Sequence, residues 1–160
     1  MPNHIVLYQP EIPSNTANIA RTCVGTNTAL HFIRPLGFST DEKMLKRAGL
    51  DFWHAIDVHY HDSFDDFFQS YPKGNYYFIE TFGEKSYTDF DFSEGSKEVF
   101  FIFGRETTGI PMEIIEKNKE NCLRIPMTSN VRSLNLSNTA AILIYEALRQ
   151  QNFSGLSPSA

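Results

Sequence analysis

Three stretches of this chain each combine residues drawn from Gly, Pro, Asn, Ser or Thr with an arginine, and each follows a short apolar run. They read QPEIPSNTANIAR (9–21), GRETTGIP (104–111) and PMTSNVRSLNLSNTAA (126–141). Small residues let main-chain amides approach a polar ligand closely, and a guanidinium offers a planar fork of donors to anionic oxygens. No GxGxxG follows a strand and no GxxxxGK(S/T) occurs, so a nucleotide-like ligand would need a mode other than a dinucleotide fingerprint or a P-loop. Cys23 and Cys122 stand outside any CxxC or Cys/His cluster and are expected to be buried and reduced. His54, His59 and His61 lack the carboxylate or Cys spacing that would complete a metal site. They read as solvated-loop or internally satisfied histidines, and no metal is expected.

These loops need a scaffold. Short β-branched or aromatic runs at Ile5 to Tyr8, Ala29 to Ile33, Tyr76 to Ile79, Val99 to Phe103 and Cys122 to Ile125 predict buried strands. Helical spacing separates them at Asn15 to Val24, Asp41 to Ala48, Phe64 to Tyr71, Met112 to Asn118 and Leu136 to Gln150. In the last of these, Leu136, Ala140, Ile144 and Leu148 repeat every fourth residue beside Leu143 and Ala147, so one face is buried. The alternation predicts an α/β domain with a mostly parallel sheet flanked by helices on both faces. Open sheets of this kind bind ligands beyond the carboxyl ends of their strands, where the three polar stretches fall.

At 160 residues with 41% hydrophobic and 14% aromatic content, one domain with its own core is expected over residues 1–152, with 153–160 as a flexible tail. The longest apolar runs, Val99 to Phe103 and Ala140 to Tyr145, fall far short of the roughly 18 to 20 residues of a bilayer span. The opening MPNHIVLY has no secretory pattern, so a cytoplasmic address is expected. The net charge of -5 hides an asymmetry: residues 57–98 carry ten acids against three bases, and the rest of the chain carries a small basic excess. A basic face beside an acidic one and an ordinary mixed surface both fit that distribution.

Taken in order, IVLYQPEIPSNTANIARTC, FIFGRETTGIP and LRIPMTSNVRSLNLSNTAAILIYEALRQ resemble the three signature motifs of the SPOUT superfamily, in its SpoU branch of RNA 2'-O-ribose methyltransferases. The resemblance covers nearly the whole chain. The minimal length, RPLGF and LKRAGLDFWH are most similar to the tRNA (cytidine(34)/uridine(34)-2'-O)-methyltransferase family. It implies a C-terminal deep trefoil knot (the SPOUT fold), S-adenosylmethionine bound in that knot with S-adenosylhomocysteine as product, a homodimer, and the tRNA anticodon stem-loop as substrate. Carried onto this chain, the cofactor residues are Ile79, Glu80, Thr81, Gly104, Glu106, Gly109, Ile125, Met127, Ser133, Leu134 and Asn135. The first motif usually has Gly where Ala17 stands, and the second usually has Pro where Arg105 stands. Ala17 suits a helical turn. Arg105 either contacts RNA phosphate or pairs with an acid.

Arg21 matches the family's catalytic arginine, and Asn18 lies three residues before it on the same predicted helix. Methyl transfer to a ribose hydroxyl is an in-line displacement that needs positioning and a proton route. A guanidinium is a poor base at neutral pH, so Arg21 is better suited to hold phosphate and stabilise a developing alkoxide, the other reading being a pair with Glu11. Glu106 could recognise the cofactor's ammonium or cap a turn. Ser133, Asn135, Ser137 and Asn138 could orient ligand groups or cap the last helix. Lys43, Lys46, Arg47, Arg132 and Arg149 are candidates for phosphate contact, and Phe52, Trp53 and Tyr145 for stacking on an exposed base. The competing functions are methylation of another tRNA or rRNA ribose, a non-catalytic RNA-binding module of the same fold, and a flavodoxin-like small-molecule binder.

Overall fold

The β-branched and aromatic runs pair side by side in the computed structural model, which describes residues 3–38, 53–93 and 97–157. The expected helix Asp41 to Ala48, with Lys43, Lys46 and Arg47, lies outside the described residues, as does Phe52. The strands are Asn3–Tyr8 (β1), Ala29–Ile33 (β2), Val58–His61 (β3), Asn75–Ile79 (β4), Lys85–Ser86 (β5), Val99–Phe103 (β6) and Cys122–Arg124 (β7). Among the described residues they form one sheet in the order β3-β2-β1-β6-β4-β7-β5, with every neighbouring pair parallel. The four helices described are Pro13–Gly25 (α1), Phe64–Ser70 (α2), Met112–Lys117 (α3) and Leu136–Gln150 (α4).

All five expected strands occur, and α4 has the limits its apolar stripe predicts. Two strands carry no apolar run to announce them. β3 is VHYH on the sheet edge, only half-buried, and β5 is two residues long. An edge strand has one face and one side toward water, so it does not need the continuous hydrophobicity of a central strand.

The alternation of side chains across the pleat divides the core in two. Ile5 and Leu7 of β1 join Leu30, Phe32, Phe101 and Phe103 beneath α1 and α4, which contribute Ile19, Ala20, Cys23, Ala140, Leu143, Ile144 and Ala147. Val6, Ile33, Phe78, Phe100 and Ile102 face the other way, against Phe64 and Phe67 of α2 and Ile115 of α3. The first helix begins with Pro13, which needs no N–H donor in the first turn. Its buried residues are Asn15, Thr16, Ile19, Ala20 and Cys23. Beyond α4, Phe153 donates its backbone N–H to Leu148 O at 2.8 Å, and Leu156 packs on the first core cluster.

Strand β1 has β2 on one side and β6 on the other, so the chain first winds outward to β3 and later fills the opposite half of the sheet. Such a reversal opens a crevice at the carboxyl ends of the strands on either side of it.

Candidate active site

Beyond the carboxyl ends of β4, β6 and β7 lies a cavity of about 600 Å³. All eleven residues expected to hold a cofactor line it: Ile79, Glu80 and Thr81 after β4; Gly104, Glu106 and Gly109 after β6; Ile125, Met127, Ser133, Leu134 and Asn135 after β7. Its volume falls within the range of small-molecule sites, roughly 300 to 1,000 Å³. Arg132, expected to reach RNA, is also in the wall. Ile12, Asn15, Phe82, Thr107, Thr108 and Thr139 complete much of the lining although the sequence did not mark them as cofactor contacts. Five of the six lie within the polar stretches, and Phe82 follows β4.

The loop after β6 is built for close approach. Arg105 and Gly109 form an isolated antiparallel bridge, with Arg105 N–H on Gly109 O at 3.2 Å and Gly109 N–H on Arg105 O at 2.8 Å. A Cβ at Gly104 would collide with the backbone of Gly109 and Ile110. Gly109 has φ +74°, a left-handed conformation that glycine alone adopts freely, and a Cβ there would stand 2.8 Å from Glu80 Oε1. Glu80 in turn accepts the Ile110 N–H at 2.8 Å. Burial raises the Glu80 carboxyl above its ordinary value, against the opposing effect of that hydrogen bond.

Two carboxylates stitch the first and second polar stretches together. Glu106 accepts the backbone N–H of Glu11 at 3.0 Å and of Ile12 at 3.2 Å, one on each oxygen. Glu11 answers by accepting the Thr107 N–H at 3.1 Å and the Thr107 hydroxyl at 2.8 Å, which holds its carboxyl below the usual range. Glu106 therefore anchors the loop after β1 while also lining the cavity. Its N–H partners lie outside its own turn. The third stretch is tied in by Asn135, which caps α4 by accepting from Ser137 N at 2.9 Å and from the Ser137 hydroxyl, and donates to Asn15 Oδ1 at 3.1 Å. Asn135 thus caps α4 while lining the cavity, and Ser137 donates to that cap from outside the wall.

The structure does not bring every expected residue into the wall. Asn18 and Arg21 are exposed on α1, one and two turns beyond Asn15, and neither lines the cavity. Tyr145 is 49% exposed on α4. Arg149 is bound to Glu146 at 2.7 Å one turn back on the same helix. Asn138 is exposed and does not line the cavity, whereas Ser133, also exposed, does. Among the described residues, no group of three or more His, Cys, Asp and Glu side chains is arranged to hold a metal ion. Cys23 and Cys122 are buried free thiols, and burial pushes both up, Cys122 to about 11. Neither is a nucleophile at neutral pH.

The chain matches the profile of the SpoU rRNA Methylase family over residues 2–145. It is 68% identical over 154 residues to a Geobacillus stearothermophilus protein provisionally named a tRNA (cytidine(34)-2'-O)-methyltransferase, covering 96% of this chain and 98% of that protein. A solved structure bearing on the 2-OH methylation of C/U34 on tRNA superposes with a TM-score of 0.85 at 42% identity, covering 94% of this chain and 96% of that one. The fold is also shared with the SpoU methyltransferase AviRb from Streptomyces viridochromogenes in complex with AdoMet, with a TM-score of 0.77 at 21% identity over 95% of this chain and 58% of that one.

Proposed function

This chain belongs to the SpoU methylase family, and from that premise we propose that it is an S-adenosylmethionine-dependent tRNA 2'-O-ribose methyltransferase acting on nucleotide 34, as cytidine or a modified uridine. The observation that carries the reading is the convergence of three loops, distant in sequence, on one cavity whose wall includes all eleven expected cofactor residues.

The residues present fit the cofactor. Gly104 and Gly109 let the loop after β6 fold tightly on itself and against Glu80 within the wall, and Ile79, Ile125 and Leu134 supply apolar surface. When bound there, S-adenosylmethionine supplies an electrophilic methyl group. Asn15 and Asn135, fixed by each other, present amides to polar parts of the ligand pair. Arg21 and Asn18 lie on the exposed flank of the helix whose Asn15 enters the wall, so an RNA strand laid along α1 meets them together. Arg21 there holds phosphate and stabilises the ribose oxygen as its proton leaves. Arg132 and Tyr145 are further candidates for contact with that strand; Lys43, Lys46 and Arg47 lie outside the described residues.

The family premise extends to the rest of the molecule. The segment after β7 passes through a loop as a trefoil knot, which ordinary connection rules would not produce. Two copies pair at α1 and α4; the apolar faces of these helices pack on the sheet within one copy, so the contact falls on their outward sides rather than on those faces. The anticodon stem-loop is the part of tRNA bound, because a single-stranded nucleotide offers its 2'-hydroxyl without melting a duplex. The catalytic domain spans residues 1–152, with 153–160 as a tail, and works in the cytoplasm.

Purified protein incubated with methyl-labelled S-adenosylmethionine and unmodified tRNA, followed by digestion and position mapping, tests the reading. Label in 2'-O-methylcytidine or a 2'-O-methyluridine derivative at nucleotide 34 is the expected result. Label at another ribose overturns the wobble assignment, and no label on tRNA or rRNA transfers the weight to a non-catalytic RNA-binding module.

A further inference from the structure

The arginines of this chain differ in what holds their charge. Arg34 has Asp62 at 3.1 Å and lies over the Tyr60 ring at 4.9 Å. Arg149 has Glu146 at 2.7 Å. Arg105 lines the cavity yet forms no ion pair among the described residues. Glu106 is committed through both oxygens to the backbone of Glu11 and Ile12, and Glu11 is bound through Oε1 to Thr107, with the Arg105 charge near enough to help hold its carboxyl low but no ion-pair contact between the two.

Its position is nonetheless firmly set. The backbone of Arg105 is pinned in both directions by Gly109 at 3.2 and 2.8 Å. Its guanidinium carbon lies over the Tyr8 ring, 5.5 Å from the centroid. Tyr8 is itself held by stacking on Phe64, with centroids 4.7 Å apart and planes 10° from parallel. A cation over an aromatic face is oriented by the ring while its N–H groups remain available at its edge. Tyr8 is not part of the cavity wall, so the guanidinium that lies over it stands at the rim rather than in the interior. The other arginine of the wall, Arg132, comes from a different loop.

A planar fork of donors at the mouth of a cavity, in no ion pair among the described residues, matches the paired oxygens of a phosphodiester. We propose that Arg105, braced on Tyr8, binds a phosphodiester of the RNA strand at the rim of the cavity and so positions the ribose that is methylated. This rests on the methyltransferase reading above. Of the two roles the sequence left open for Arg105, phosphate contact is the one favoured by the rim position and by the lack of an ion pair among the described residues. The same fork could serve a cofactor carboxylate, and the experiment separates the two anions.

Full-length protein and the Arg105→Ala and Arg105→Lys variants are compared in three measurements. They are binding of an unmodified anticodon stem-loop across a potassium chloride series, calorimetric binding of S-adenosylhomocysteine, and steady-state methylation of tRNA. For Arg105→Ala the stem-loop affinity falls roughly tenfold at low salt, and the slope of log affinity against log salt becomes shallower by about 0.7 to 1. The tRNA KM rises more than kcat falls, S-adenosylhomocysteine affinity stays unchanged, and Arg105→Lys recovers part of the loss because charge alone provides part of the contact. Tyr8→Leu removes the brace and produces a smaller loss of the same kind. A loss of S-adenosylhomocysteine affinity with an unaltered salt slope assigns Arg105 to the cofactor and overturns the proposal, as does wild-type RNA binding in Arg105→Ala. Stem-loop binding is read without turnover, so a wild-type protein that binds RNA but transfers no methyl group refutes the enzymatic reading while the Arg105 contact is still decided.

Discussion

The side-chain amide of Asn135 donates to Oδ1 of Asn15 at 3.1 Å, joining residues 120 positions apart across one wall of the cavity. Asn15 is buried on α1, and Asn135 caps α4, so the bond locks the entry of one helix to the start of the other. The same two helices pack on one face of the sheet. Their relative placement sets where the loop between β7 and α4 stands.

Replacing both asparagines tests that coupling. Asn15→Ala removes one neutral hydrogen bond, and Asn135→Ala also removes the helix cap, each costing about 1 kcal/mol. The double variant should lose less than the sum of the singles by about 0.5 to 1 kcal/mol in chemical denaturation. Strict additivity would show that the two side chains do not act as a pair. Affinity for S-adenosylhomocysteine should fall in both single variants.

Gly104→Ala should eliminate cofactor binding. Its Cβ would meet backbone atoms of Gly109 and Ile110, which cannot move without breaking the Arg105 to Gly109 bridge. Forcing a methyl into such a position costs about 1 to 3 kcal/mol of stability. Calorimetry with S-adenosylhomocysteine and a thermal melt provide the check, and wild-type binding by a stable variant would refute the close-approach argument.

Arg21→Ala should lower kcat for tRNA methylation by about a hundredfold or more, the scale for losing a charge-stabilising group in a transition state. Arg21 does not line the cavity, so S-adenosylhomocysteine affinity should be unchanged. Methylation rates near wild type would remove Arg21 from the catalytic machinery.

A row of imidazoles makes stability depend on pH. His61 Nε2 meets His31 Nδ1 at 3.0 Å, His31 Nε2 meets His4 Nδ1 at 2.9 Å, and His4 Nε2 meets Glu98 at 3.0 Å. Burial is the main reason that His4, His31 and His61 titrate below the ordinary value of 6.5, with His31 pulled down to about 2. The unfolded chain binds protons first as the pH falls, so the neutral row contributes fully above about 6.5 and stability is lost below it. For a buried imidazole such as His31 the loss approaches about 1.4 kcal/mol per pH unit. Urea midpoints from pH 8 to 5 should decline most steeply below 6.5, and His31→Phe should flatten the decline. A flat wild-type profile would contradict this account.

Much of the molecule was legible in the residues. β1, β2, β4, β6 and β7 are apolar because both faces of a central parallel strand are covered, and α4 shows its stripe because one side is buried. The cofactor loops were legible as well, since close approach to a polar ligand demands Gly, Pro and amide side chains at strand ends. β3 was not, because an edge strand carrying His59 and His61 has no hydrophobic pattern to display.

What local pattern cannot contain is which side chain meets which across the fold. Glu106 could be assigned to a ligand or a turn from its neighbours alone, and only the approach of the loop after β1 gives it the N–H groups of Glu11 and Ile12. Arg105 is equally open between an acid and a phosphate in the sequence, and only the fold lays its guanidinium over Tyr8 without an ion pair among the described residues. His4, His31 and His61 belong to three strands and become one hydrogen-bonded row only through the parallel order β3-β2-β1. Composition and periodicity report whether a residue faces water or core. Hydrogen bonds between residues separated by tens of positions depend on strand order and register, which tertiary packing alone decides.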